Sequence, residues 1–225
     1  MIAHRGWPTR YPDNTLAGFL AAAAVADMIE LDVRRSADGK LVLAHDLTLG
    51  GLGVATTPWA ELAEIDLGGG HHPALLDEVL AAVPETPAQL EVKNMPYEPD
   101  FEPDHRLALE AADRARPHDI VTSFNRATVE AVRRDFDDVA TGLAVGYPDS
   151  LDEAVDYCMG FGHTCLAPAA GLVSGSVEGV VRSGVAVYPW TVNDVDVAME
   201  LVEAGVSGII TDDPGRIARV IRGDT

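Results

Sequence analysis

The chain has 225 residues, of which 36 are Asp or Glu and 16 are Lys or Arg, giving a formal net charge of −20 at pH 7 with histidine neutral. That excess of negative charge excludes general binding to DNA, RNA or anionic bilayers, because such affinity rests on basic residues. A hydrophobic fraction of 47% against 23% charged residues excludes a disordered chain, and the length is enough for one substantial core. A single domain over residues 1–225 is the expected organisation.

In chain order, short β-branched runs alternate with longer Ala- and Leu-rich periodic stretches, the pattern of parallel strands joined by helices. Strands are expected near residues 2–4, 28–33, 89–93, 119–123, 141–145, 164–167, 185–190 and 208–211. Helices are expected over 15–26, 75–83, 104–116, 126–135, 150–159, 176–182, 194–204 and from Pro214 onward. Eight such βα units predict an α/β fold of the (β/α)8 TIM-barrel type. An alternating extra strand at 40–44, after the Asp38-Gly39 turn signal, predicts a short insertion after the second strand, about residues 38–73. The longest apolar run, 16–26, falls well short of the ~20 residues that span a bilayer. No basic flank, apolar stretch and cleavage site fit before His4-Arg5, so the expected location is cytoplasmic, without stable membrane insertion. Cys158 and Cys165 lack any CxxC spacing and are expected as buried free thiols.

Charged residues inside apolar strands are the strongest chemical signal. In Met28-Ile29-Glu30-Leu31-Asp32-Val33, Glu30 and Asp32 leave the same strand face, and in Leu90-Glu91-Val92-Lys93 so do Glu91 and Lys93. Burying neighbouring carboxylates without compensation is expensive. Two readings meet that cost: a buried ion-pair network with Arg5 and Lys93, or an all-oxygen site at Glu30, Asp32 and Glu91 that suits Mg²⁺, Ca²⁺ or Mn²⁺ better than Zn²⁺. His4 ends the first strand and His45 ends the extra strand. Histidine transfers protons at neutral pH, so this pair can supply an acid and a base, while the planar fork of Arg5 matches phosphate oxygens. A cation, Arg5, Lys93 and two histidines around one cavity describe a site for in-line attack at a phosphodiester. Asn14 is expected to cap the first helix. Asp212 is expected either to contact Arg5 or a substrate hydroxyl, or to start the last helix beside Pro214. Ser123 is expected to donate a hydrogen bond into the cavity, and His71-His72 to contribute at most at its rim. No Gly-x-Ser-x-Gly elbow or GxGxxG fingerprint is present.

His4-Arg5-Gly6, Pro12-Asp13-Asn14-Thr15, Glu30-Leu31-Asp32 and His45-Asp46, in that order, closely resemble the opening signature of the glycerophosphodiester phosphodiesterase family. Later segments look like that family too: residues 73–80, Glu91-Val92-Lys93, Ser123-Phe124, Trp190-Thr191-Val192-Asn193 and residues 208–214. The resemblance covers essentially the whole chain. It implies hydrolysis of a small-molecule glycerophosphodiester to glycerol 3-phosphate and an alcohol, with one divalent cation, Mg²⁺ or Ca²⁺, held by Glu30, Asp32 and Glu91. It further implies His4 and His45 as the acid and base, Arg5 and Lys93 on the phosphate, and Trp190 as a wall for the glycerol or alcohol group. Which histidine is the base, and whether water or the glycerol 2-hydroxyl attacks, stays open at this level. Two other readings use the same residues: a lysophospholipase D-like phosphodiesterase, and a non-catalytic phosphate-ligand binding barrel that would need Arg5 and Lys93 but not two positioned histidines. The chain departs from the family pattern at Asp13, where the family has Glu, and after His45, where the expected Arg-Thr-Thr is missing and the insertion is trimmed. A more open mouth is the expected consequence.

Overall fold

A computed structural model describes residues 1–173 and 177–223, with the side chain of Glu178 excepted. Strand β1 (Ile2–His4) leads to helix α1 (Leu16–Ala23), and β2 (Met28–Arg35) leads to β3 (Leu41–Leu43), which turns back antiparallel to β2. The insertion then holds a hairpin, β4 (Thr48–Leu49) and β5 (Leu52–Gly53), a 3-10 turn at Val54–Thr56 and the short helix α2 (Trp59–Leu62). After α3 (Leu76–Ala82) the regular alternation begins: β6 (Ala88–Val92), α4 (Arg106–Arg114), β7 (Ile120–Ser123), α5 (Arg126–Asp135), β8 (Ala140–Val145), α6 (Leu151–Phe161) and β9 (Cys165–Pro168). It continues with α7 (Ala170–Val173), α8 (Val177–Arg182), β10 (Ala186–Val187), α9 (Val195–Glu203), β11 (Ile210–Thr211) and α10 (Pro214–Arg222). The expected helix 176–182 begins at Ser176, which lies outside the described residues.

Among the described residues, eight parallel strands run β10-β9-β8-β7-β6-β2-β1-β11. Backbone bonds curl this order back on itself. Gly208 N donates to Val187 O at 3.3 Å, Ile210 N to Pro189 O at 3.0 Å and Val192 N to Ile210 O at 2.9 Å, which ties the last strand to the seventh and gives the expected (β/α)8 barrel. The seventh strand is regular only at β10, shorter than the expected 185–190, because Pro189 has no N–H to give the ladder. Pairing with β9 still continues past it, through Tyr188 N to Leu166 O and Trp190 N to Pro168 O, each 2.9 Å.

Local chemistry explains the helix starts. Thr15, Asn125, Ser150, Asp194 and Asp213 each accept a backbone N–H of the first turn on the side chain, and Pro214 occupies the first turn of α10. Strand alternation sorts the layers. Ile29, Leu31 and Val33 of β2 and Ala88, Leu90 and Val92 of β6 join Phe19, Leu76, Val79 and Leu107 in the apolar layer between barrel and helices. The intervening Glu30, Asp32, Gln89 and Glu91 therefore point into the barrel.

Cys158 and Cys165 are both buried free thiols, as expected, with the Cys158 thiol pushed up to about 11 by burial. Gly142 of β8 stands opposite Cys165 of β9, and a β-carbon there would lie 2.8 Å from the Cys165 carbonyl oxygen and collide with its sulfur. Gly142→Ala is expected to destabilise the fold by about 1–3 kcal/mol, as overpacking does. An unchanged urea midpoint would show that β8 and β9 can separate without loss.

Candidate active site

Parallel register assembles the floor of the site. His4 of β1 stands opposite Glu30 of β2, and Asp32 stands opposite Glu91 of β6. Glu30, Asp32 and Glu91 each offer an oxygen within 4.8 Å of the others. Two cations face them: Arg5 Nε lies 3.1 Å from Asp32 Oδ2, and Lys93 Nζ lies 2.8 Å from Asp32 Oδ1 and also contacts Glu91 Oε1. Burial opposes ionisation of Asp32, but Lys93 and Arg5 outweigh it and hold the carboxyl at about 2. Glu30 has no such partner. Burial, followed by the charge of Asp32, pushes it up to about 8. Its Oε2 accepts the Arg5 backbone N–H at 3.0 Å, whereas its Oε1 is buried with no hydrogen-bond donor. The turn that permits this has positive φ at Arg5 (52°) and Gly6 (92°), and at Gly6 a β-carbon would come within 2.9 Å of the Gly18 carbonyl carbon of α1.

Each histidine is held by its Nδ1. His4 Nδ1 lies 2.6 Å from Asp212 Oδ1, and an ionised carboxylate only accepts, so Nδ1 carries the proton. Asp212 is itself gripped by Asn193, which donates from Nδ2 to Asp212 Oδ2 at 2.6 Å and accepts the Asp212 N–H at 2.9 Å. His4 Nε2 is left facing Glu30 Oε2 at 4.0 Å. Burial works against a charged His4, yet the Asp212 hydrogen bond and the Glu30 charge raise it above the usual histidine value. His45 Nδ1 lies 2.8 Å from Asp46 Oδ1, and its carbonyl accepts Arg34 Nε at 3.0 Å. Arg34 continues the strand face of Glu30 and Asp32, is buried, and donates to Glu98 and Asp100 at 3.0 and 2.8 Å. One guanidinium thus joins the His45 segment to the loop after β6.

His4, Arg5, Glu30, His45, Glu91, Lys93 and Trp190 line one cavity of about 70 Å³ together with Phe124 and Ile210, and Asp32 lies buried beneath it on Arg5 and Lys93. All eight residues singled out in the sequence therefore converge. The structure also places four further residues or pairs. Asn14 does not cap α1, a role Thr15 takes; it is buried and grips Asp32 twice, donating from Nδ2 to Oδ2 at 2.9 Å and accepting the Asp32 N–H at 3.2 Å. Asp212 hydrogen-bonds His4 rather than Arg5, and the start of α10 is capped not by it but by Asp213. Ser123 Oγ donates to the Val92 carbonyl and turns away from the cavity. His71 packs edge-on against Tyr11 and His72 bonds the Ile65 carbonyl, so neither reaches the cavity. Arg34, Asn193 and Phe124 had no assigned role in the sequence. Arg34 did carry a signal, since it stands two residues after Asp32 in the same strand. The shorter Asp13 still accepts Arg5 Nη1 at 3.2 Å.

Removing Arg34 would leave Glu98 and Asp100 facing each other without a cation. Arg34→Ala is expected to destabilise the fold by about 3 kcal/mol, the scale for stripping one partner from a buried ion pair, with only partial recovery in Arg34→Lys, which cannot reproduce the fork. Wild-type denaturation curves for both variants would contradict this.

A model of the glycerophosphoryl diester phosphodiesterase family matches residues 4–216. A glycerophosphodiester phosphodiesterase of Caldanaerobacter subterraneus is 30% identical over an alignment covering 99% of this chain and 97% of that protein, and one of Bacillus subtilis is 25% identical, covering 99% and 86%. Among solved structures, an Oleispira antarctica phosphodiesterase in complex with its product sn-glycerol-3-phosphate superposes with a TM-score of 0.86 at 23% identity, covering 98% of this chain and 96% of that one. A glycerophosphodiester phosphodiesterase of Thermotoga maritima does so with a TM-score of 0.80 at 25% identity, covering 97% and 96%. The barrel, the converging residues and a family match over nearly the full length lead to one conclusion: the chain belongs to the glycerophosphoryl diester phosphodiesterase family.

Proposed function

We propose that the protein hydrolyses glycerophosphodiesters to glycerol 3-phosphate and an alcohol, depends on one divalent cation, and uses His4 and His45 as its acid and base. The observation that carries the reading is the cavity itself, in which two oriented imidazoles, Arg5 and Lys93 surround a cluster of three carboxylates. The donor set fits a hard cation such as Mg²⁺ or Ca²⁺, since all three groups offer oxygen. So does the unsatisfied, buried Glu30 Oε1. Glu30, Asp32 and Glu91 would hold the ion, which when bound supplies positive charge to stabilise the phosphoryl oxygens.

The protein's own groups account for the remaining steps. Arg5 and Lys93 are the cations nearest the cavity and would bind the non-bridging oxygens of the substrate. Asp212 fixes the His4 tautomer, so Nε2 is the nitrogen free to take or give a proton, and Asp46 does the same for His45. One imidazole removes the proton of the attacking hydroxyl, and the other delivers one to the departing alkoxide. Trp190, held by its Nε1 on the Ala167 carbonyl at 2.8 Å, and Phe124, packed edge-on against it at 5.5 Å, form a rigid aromatic wall. A pure phosphate-binding role has no use for two imidazoles each oriented by its own carboxylate. The small volume beside His4 and Trp190 favours a bare glycerol over an acylated one. Among the described residues, no helix is long and apolar enough to cross a membrane.

With glycerophosphocholine and Mg²⁺ or Ca²⁺, the expected outcome is release of glycerol 3-phosphate; binding without turnover would overturn the enzymatic reading. His4→Ala and His45→Ala are each expected to lower kcat by about 10²–10⁴-fold, with near-normal kcat in either removing that histidine from the mechanism. Asp212→Asn, acting only through His4, is expected to lower kcat more than it changes KM and by less than His4→Ala. Calorimetric titration should show weaker Mg²⁺ or Ca²⁺ binding in Glu30→Gln and Glu91→Gln, each of which loses a charged oxygen; unchanged isotherms in both would dismiss the proposed ion site.

A further inference from the structure

Arg34 is the third charged residue on the inner face of β2, two positions beyond Asp32, and is only 2% exposed. Its Nε donates to the His45 carbonyl at 3.0 Å, its Nη1 to Glu98 Oε2 at 3.0 Å and Asp100 Oδ2 at 2.8 Å, and its Nη2 to Glu98 Oε1 at 3.3 Å. We infer that Arg34 is a positioning residue of the reaction: it sets the place of the His45 imidazole by holding the His45 main chain, while Glu98 and Asp100 fix its own guanidinium. The inference rests on the reading of His45 as acid or base and deepens it.

The first support is a gap in the backbone network. Main-chain bonds flank His45 on both sides, Ala44 N to Asp32 O at 3.0 Å and Val54 N to Leu47 O at 2.9 Å, but the second of these is internal to the insertion. Among the described residues, the main-chain groups of His45 and Asp46 make one hydrogen bond to the rest of the protein, the one from Arg34. The side-chain partner of His45 does not replace it. Asp46, whose Oδ1 lies 2.8 Å from His45 Nδ1, is the next residue, has a side chain 78% exposed, and moves with the same segment. His4 has no such need, since its partner Asp212 is held by Asn193 on a different loop.

The second support is the choice of group. A buried ion pair is a weak source of stability, and apolar residues of similar volume serve as well. A planar guanidinium whose two outer nitrogens are pinned by carboxylates has a fixed direction for its remaining Nε–H, and here that N–H is the one given to His45. Direction matters at this point because His45 shares the wall of the reaction cavity with Lys93 and Glu91. Proton transfer needs heavy atoms about 2.6–3.2 Å apart, and a misplacement of about 1 Å can lower a rate by about 10²-fold.

The test measures kcat and KM for glycerophosphocholine, and the Mg²⁺ concentration giving half-maximal rate, in Arg34→Lys, His45→Ala and the double variant, each at a temperature where its circular dichroism is native. Arg34→Lys keeps a positive charge for Glu98 and Asp100 but loses the Nε donor. It is expected to lower kcat about 10- to 100-fold while KM and the Mg²⁺ requirement stay within about threefold. In the His45→Ala background the same substitution is expected to lower kcat by no more than about twofold, because no imidazole is left to displace. Should Arg34→Lys not fold, Glu98→Gln, which leaves the Asp100 pair and the His45 bond in place, carries the same comparison with an expected loss of about 3- to 10-fold. An equal fall of kcat in both backgrounds would overturn the inference and leave His45 its role. So would wild-type kcat in Arg34→Lys, or a raised Mg²⁺ requirement, which would place the effect on the neighbouring Asp32. Near-normal kcat in His45→Ala would defeat the reading of His45 itself, and this inference with it.

Discussion

Glu30 and Asp32, both buried on β2, and Glu91, at the cavity wall on the neighbouring β6, bring three carboxylates within reach of one point, and the surrounding groups offset the repulsion among them. Each compensating group arrives from a different part of the chain: Arg5 from the turn after β1, Asn14 from the segment before α1, and Lys93 from the end of β6. They meet because β1, β2 and β6 are neighbours in the sheet and end at the same face of the barrel. Asp32 and Lys93 satisfy each other, but Glu30 remains with a buried oxygen that nothing in the protein donates to. A charge so placed is unfavourable, and burial together with the charge of Asp32 drives Glu30 toward its neutral form.

The two histidines are held by different kinds of structure. His4 belongs to the barrel proper, and its partner Asp212 is clamped by Asn193 from the loop after the seventh strand, so its orientation is as rigid as the closure of the sheet. His45 belongs to the insertion and is half-exposed, and its backbone is fixed through Arg34 to the loop after β6. That loop also carries Met95, Tyr97 and Glu98. The segment that carries His45 is therefore physically joined to the loop after β6.

Much of this was legible from local pattern. Alternation with a period of two exposes Glu30, Asp32, Glu91 and Lys93 as same-face charges inside apolar strands, and alternation of strand and helix stretches identifies the barrel. The contacts that local pattern missed share one property: their partners are remote. Asn14 bonds Asp32 across 18 residues, Arg34 bonds Glu98 across 64, and His4 meets Asp212 across 208. Locally, Asn before a helix looks like a cap and Asp before Pro looks like a helix start, and both residue types do serve those ends elsewhere in this chain, as Asn125 and Asp213 do. Side-chain chemistry alone does not distinguish a carboxylate that caps a helix from one that orients an imidazole, since both accept an N–H.

What the sequence by itself determined is the inventory and its facing: which residues carry charge, which strands bear them, and that the charged face is the inner one, because strand periodicity is a property of the backbone and holds wherever the strand lies. What only the tertiary structure decided is pairing. The register that sets Asp32 beside Glu91, the pairing of β1 with β11 that brings Asp212 to His4, and the Arg34 junction that joins His45 to the loop after β6 all depend on distances between segments far apart in the chain. Hydrogen bonds and ion pairs weaken beyond contact, so these pairings form only once the strands have assembled in register.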